Sequence, residues 1–153
     1  MIDHDVYMRR AVEIALEHVP DHPFAALLID NQSGEVLAEG YNRSDESPLW
    51  HGEMDVMNRY FASDRSIPVE RLQMYTTAEP CPMCAGALYW ARVPKVVFGT
   101  KVGTLKRLDW DQIDIPALDL SRKAQYPRLD VIGPVLEAEC NRLFTEARPL
   151  NPP

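Results

Sequence analysis

Leu72-Gln-Met-Tyr-Thr-Thr-Ala-Glu-Pro-Cys-Pro-Met-Cys-Ala-Gly-Ala-Leu-Tyr-Trp-Ala-Arg-Val-Pro-Lys-Val-Val-Phe-Gly99 is the stretch on which the fold turns. Leu72–Thr77 reads as a strand, Cys81–Arg92 as a helix and Lys95–Gly99 as a second short apolar strand. A strand, a helix and a strand in that order favour parallel pairing through a right-handed crossover. Upstream, Phe24–Ile29 is an apolar run of strand length. The turn residues Asp30-Asn-Gln-Ser-Gly34 return the chain along Glu35–Gly40 as its hairpin partner. A hairpin joined to a parallel crossover predicts a mixed sheet. Asp3–Val19 carries Met8, Ala11, Val12, Ala15 and Val19 at helical spacing and stops at Pro20. A second helix is expected over about His51–Ala62. A final amphipathic helix carries Leu136, Cys140, Leu143, Phe144 and Ala147. Leu129–Val131 is expected as an edge strand. The weakly periodic Thr100–Arg128 segment, interrupted by Pro116 and Pro127, is expected to be mostly loop with one short helix. The reading is one α/β domain over residues 1–148, its sheet sandwiched between helices, followed by a frayed tail at 149–153.

The chain has 153 residues, 46% apolar and 25% charged, ordinary values for a single globular domain that needs no disulfide framework. No apolar run approaches the ~18 residues of a membrane span. The acidic start, Met-Ile-Asp-His-Asp, lacks the basic character of a secretory signal, so a cytoplasmic location is expected. Asp and Glu number 23 against 16 Lys and Arg, a net charge of −7 that disfavours a nucleic-acid partner. Three cysteines in a reducing compartment, two of them close together, suggest metal or redox chemistry.

Two short motifs stand thirty residues apart: His51-Gly52-Glu53 and Pro80-Cys81-Pro82-Met83-Cys84. Each falls where a loop or strand enters a helix. Two thiols at C-x-x-C spacing lie one helical turn apart and can share a metal ion. The partial positive charge of a helix N-terminus favours the thiolate form that the metal requires. With His51 the protein ligands number three, the count of a catalytic zinc site that keeps a position for water; a structural site closes with four. At a helix's first turn, Cβ vectors tilt toward the N-terminal end, so His51 and Glu53 can converge above it. Water whose pKa is lowered by a metal toward ~7 needs a base, and Glu53 fits that role. A bare C-x-x-C is also the motif of thioredoxin-like redox pairs, but that motif has no use for His-x-Glu at a second helix start. Cys140 lies on the apolar stripe of the last helix and reads as a small core residue. His4, His18 and His22 read as solvated surface.

The pattern H-x-E…P-C-x-x-C resembles that of the cytidine deaminase superfamily of zinc aminohydrolases. The likeness is closest to its purine branch of guanine deaminases and bacterial tRNA adenosine deaminases. It extends over Pro23-Phe24-Ala-Ala-Leu-Leu, Gly40-Tyr-Asn42, both metal motifs and Val96-Val-Phe-Gly99. The resemblance implies a three-layer α-β-α sandwich on a mixed five-stranded sheet. It also implies zinc on His51, Cys81 and Cys84, Glu53 as the proton shuttle, and a homodimer. Substrate contacts are implied at Phe24, Asn42, Gly52, Trp90 and Asp111. Gly52 departs from the purine branch, where Ala is usual, and matches fungal-type cytosine deaminases.

The expected reaction is hydrolytic removal of an amino group from a small nucleobase or nucleoside, guanine first, then cytosine or a related azine. A tRNA adenosine deaminase and a noncatalytic zinc-stabilised interaction domain are the other readings. Retention of Glu53 opposes the last of these. The run Lys95, Lys101, Lys106 and Arg107 keeps a phosphate-bearing partner in view. Trp90 is equally consistent with packing or a dimer interface, Trp50 with interior packing or the pocket mouth, and Asp111 with a solvated loop.

Overall fold

A computed structural model describes residues 1–63, 66–125 and 129–147. The tail expected at 149–153 lies outside these residues. Five strands form one mixed sheet in the order β2-β1-β3-β4-β5. They are β1 (Ala25–Asp30), β2 (Val36–Tyr41), β3 (Leu72–Ala78), β4 (Lys95–Thr100) and β5 (Asp130–Ile132). β1 pairs antiparallel with both β2 and β3, whereas β3–β4 and β4–β5 are parallel.

Strand alternation splits the core into two layers. Ala25, Leu27, Ile29, Tyr75 and Val97 point to one face, where α1 (His4–His18) and α6 (Glu137–Glu146) pack with Met8, Ile14, Cys140 and Phe144. Ala26, Leu28, Met74 and Val96 point to the other, covered by α2 (Gly52–Ala62) and α3 (Pro82–Trp90) through Val56, Tyr60 and Leu88. All of β1 and β3 is buried: β1 is a near-continuous apolar run, whereas β3 buries Gln73, Thr76 and Thr77 among its apolar residues. The architecture is the expected three-layer sandwich. None of the described helices is long and apolar enough to cross a membrane.

The helix ends follow local chemistry. Asp3 caps α1 by accepting from Asp5 N at 3.0 Å, and Pro82 occupies the first turn of α3, where a missing N–H costs nothing. The 100–128 segment differs from expectation: it holds two short helices, α4 (Val102–Arg107) and α5 (Ala117–Lys123). Neither has a side-chain cap of its own. The buried Glu79 carboxylate accepts from Val102 N and from Ala117 N, each at 2.8 Å. A partner 23 and 38 residues away stabilises both helix starts, and local periodicity cannot reveal it.

Asp30 closes the far end of β1. It is 1% exposed and accepts from Arg71, from Gln32 N at 2.9 Å and from Ser33 Oγ at 2.8 Å. Chiefly the Arg71 guanidinium, helped by these bonds, holds its carboxyl well below the usual carboxylate range. With a folded pKa below the unfolded ~3.9, the stabilisation is fully present above that value and is lost as pH falls through the folded one. Asp30→Asn is therefore expected to lower Tm at neutral pH, with the gap to wild type narrowing below about pH 4. A gap constant across a pH series of thermal melts would refute this.

Candidate metal centre and active-site cleft

β1 runs opposite to β3, so the start of β1 lies beside the end of β3, and two helix N-termini meet there. Thr77 ties the corner together: its hydroxyl donates to Pro23 O at 2.8 Å and accepts from Ala25 N at 3.1 Å. His51 and Cys81 occupy the N-cap positions of α2 and α3, with extended backbones at φ −68°, ψ 166° and φ −64°, ψ 166°. Neither side chain caps its own helix. The imidazole and the thiol are thereby left to each other.

His51 Nδ1 stands 3.6 Å from Cys81 Sγ and 3.7 Å from Cys84 Sγ, and all three ligand atoms lie within 4.8 Å of one another. Tetrahedral zinc with Zn–N about 2.0–2.1 Å and Zn–S about 2.3 Å requires an N···S separation of about 3.6 Å. The donor set and its spacing fit that ion. Among the described residues this is the one group of three or more His, Cys, Asp or Glu side chains close enough to hold a metal. The Cys81 thiol is pulled down to about 4, first by a hydrogen bond from Cys84 and then by His51. Cys84 is pushed well above the usual thiol range by Cys81 and by burial. Cys140 is buried on the far side of the sheet, its thiol raised to about 12 by burial, and does not join the cluster.

Glu53, in the first turn of α2, is 5% exposed, and its Oε1 accepts from Thr76 Oγ1 at 3.1 Å. Burial first, and then the charge of Cys81, raise its carboxyl above the ordinary glutamate value. A carboxyl shifted in this direction takes up and returns a proton near neutral pH more readily than a solvated one.

These groups open onto a cleft of about 680 Å³, within the roughly 300–1,000 Å³ usual for small-molecule pockets. Of the sequence-derived residues, Phe24, Asn42, His51, Glu53, Cys81 and Asp111 line it. Asn42 Oδ1 accepts from Ser44 N at 3.0 Å, which orients the side chain and leaves its amide NH₂ uncommitted among the described residues. Gly52 lies under the corner, where a Cβ would come within 3.0 Å of Phe24 O and 3.4 Å of Ala25 Cα. The small residue thus lets α2 approach the start of β1. Trp90 is elsewhere: it ends α3, is 74% exposed and has the Tyr89 ring 5.1 Å away. Nine helical residues carry it about 13 Å along the axis from Cys81. Trp50 lies under the Arg43 guanidinium, 4.6 Å from its ring centroid, and does not line the cleft.

The structure adds His22, Glu79, Lys106, Asp109, Trp110 and Gln112 to the lining. His22 lines the cleft and is not the solvated surface residue expected beside the first helix; its position just before Pro23-Phe24 is the signal that places it there. Asp109 takes a left-handed φ of 62°, and the chain then turns the buried Trp110 indole onto Phe24 and Phe144. Two lysines of the basic run are paired with acids. Lys101 pairs with Glu137 at 3.5 Å and Lys106 with Asp114 at 2.9 Å, while Arg107 bonds Thr104.

The cytidine and deoxycytidylate deaminase zinc-binding region matches residues 1–100, and the chain belongs to that family. It is a hydrolase of the kind that deaminates cyclic amidines. A probable cytosine deaminase of Schizosaccharomyces pombe is 26% identical over 140 residues, spanning 87% of this chain and 85% of that protein. A guanine deaminase of Bacillus subtilis is 35% identical over 102 residues, 63% of this chain and 64% of its own. A tRNA-specific adenosine deaminase of the same organism is 31% identical over 155 residues, 95% of this chain and 88% of its own. Among solved structures, the guanine deaminase of Nitrosomonas europaea shares the fold at a TM-score of 0.81 and 22% identity, over 95% of this chain and 85% of that one.

Proposed function

We propose that this chain is a zinc-dependent deaminase of a free nucleobase or nucleoside, guanine first among them. The carrying observation is the buried Glu53 carboxyl beside the His51–Cys81–Cys84 triad at the floor of an aromatic-walled cleft. Zinc held by those three residues would supply Lewis-acid activation of a water molecule. Glu53 would carry two protons in turn: one taken from the attacking water and passed to the ring nitrogen, the second taken from the hydroxyl added to the ring carbon and passed to the departing amine, which leaves as ammonia. The Thr76 hydroxyl orients Glu53 from the sheet side. Phe24 offers its face to the base, and the Asn42 amide donates to its polar edge. Asp111, exposed on the rim, is placed to accept from a purine N–H.

The acidic rim of Asp109 and Asp111 and the net charge of −7 support a small neutral substrate over tRNA. Cytosine is the second reading, favoured by Gly52. The three cysteines are free, as suits a cytoplasmic enzyme, and the deaminase unit is taken as residues 1–148. The test is ammonia release across purines, pyrimidines, their nucleosides and an adenosine-bearing tRNA stem-loop. Guanine turnover with no release from the RNA supports the reading; release from the RNA alone overturns it.

We also infer a homodimer through α3. A Cβ on Gly86 would meet nothing within 4 Å, and Trp90 stands in solvent on the same helix. Light scattering at micromolar concentration is expected to give twice the chain mass; the chain mass itself would count against it.

A further inference from the structure

We propose that His22 is a specificity-determining residue of the cleft, donating a hydrogen bond to a carbonyl oxygen or unprotonated ring nitrogen on the base. This rests on the nucleobase reading above and names the group that recognises the edge remote from the reacting amine.

Three rings form one wall. His22 lies 4.8 Å from Phe24 and 5.3 Å from Trp110 between centroids, and Phe24 lies 5.4 Å from Trp110. Phe24 has no polar atom. The Trp110 Nε1–H is spent on Phe144 O at 3.2 Å. His22 makes no side-chain hydrogen bond among the described residues, so it is the ring on this wall with polar capacity to spare. Its Nδ1 is sealed from solvent without a partner. The part of the ring that faces the cleft therefore offers Nε2. Burial holds the imidazole below its ordinary pKa. A neutral ring carries one proton. An orphaned buried N–H is rarer in proteins than an acceptor left short of a partner, which places the proton on Nε2 and makes that atom a donor. Its complement is an acceptor on the ligand. A carbonyl-bearing base such as guanine or cytosine supplies one.

Two substitutions separate recognition from packing. His22→Phe keeps an aromatic ring against Phe24 and Trp110 but has no donor. His22→Gln gives up the ring and keeps an N–H donor. Steady-state ammonia release from guanine and from cytosine is measured for wild type and both variants, together with Tm and zinc content. For His22→Phe the expected result is a KM raised about 10-fold or more, with kcat within a few-fold, wild-type zinc and an unchanged Tm. For His22→Gln the KM returns toward wild type despite some loss of Tm. A wild-type KM in His22→Phe, or a KM that tracks Tm across both variants, makes His22 a packing residue and overturns the proposal. A wild-type protein that deaminates neither base, though loaded with zinc, overturns the guanine and cytosine readings and this proposal with them. Activity in wild type with no change in His22→Phe overturns this proposal alone.

Discussion

Glu53→Gln is expected to keep its metal and lose at least the ~10²–10⁴ in turnover that a positioned general acid–base contributes. The substitution preserves size and leaves an amide oxygen to accept from Thr76 Oγ1, which lies 3.1 Å from the native Oε1. It removes the group that takes and returns a proton. Because the carboxyl is 5% exposed, bulk water cannot easily stand in for it. Zinc content should match wild type, since the triad that fits the ion is complete without residue 53. KM should change far less than kcat, because the proposed reading assigns binding of the base to Phe24 and Asn42. Metal analysis and turnover on the best substrate decide the outcome. Loss of zinc would show that Glu53 is a ligand; full activity with zinc bound would remove it from the mechanism.

Replacing either Cys84 or His51 by Ala is expected to abolish measurable deamination and to bring zinc from one equivalent per chain to a small fraction. Cys84 is fully buried between α3 and the sheet, and its Sγ stands 3.7 Å from His51 Nδ1. Among the described residues Cys84 belongs to the one group of three or more His, Cys, Asp or Glu side chains whose ligand atoms lie close enough together to hold a metal. Metal binding also couples to stability: an ion at 1,000 times its dissociation constant adds about 4 kcal/mol to the folded state. A strong chelator should therefore lower the Tm of wild type markedly and leave that of His51→Ala nearly unchanged. Cys140→Ser serves as a control, with wild-type zinc expected. Equal chelator sensitivity in wild type and His51→Ala would place the metal elsewhere.

The centre was legible in the sequence because its geometry is local. His51 and Cys81 are N-caps of helices whose starts are marked by the first-turn acid Glu53 and by Pro82, and Cys84 follows Cys81 by one turn. Helical geometry alone brings Cys81 to Cys84, and Glu53 to the end that His51 caps. The apolar run of β1 likewise announces a buried strand, and the strand–helix–strand order announces the parallel pairing. The core role expected of Cys140 follows from its place on the stripe of α6.

The walls of the cleft were less legible. Trp90 has the composition of a pocket residue, yet the length of α3 carries it away from the cleft of its own chain. His22 has the sequence context of a surface residue yet belongs to an aromatic wall, because β1 begins beside the end of β3 and Trp110 arrives from a segment with no periodicity to read. Glu79 was silent as a local signal, since its partners are the N–H groups of two helix starts far along the chain.

What the sequence by itself determined is the reacting centre and the sheet, both written in spacings of one to four residues and in alternation along single strands. What only the tertiary structure decided is which side chains wall the cleft: His22 and Trp110 join Phe24 there across about 90 residues of chain. Contacts of that range depend on how whole elements pack against one another, and no local periodicity encodes them.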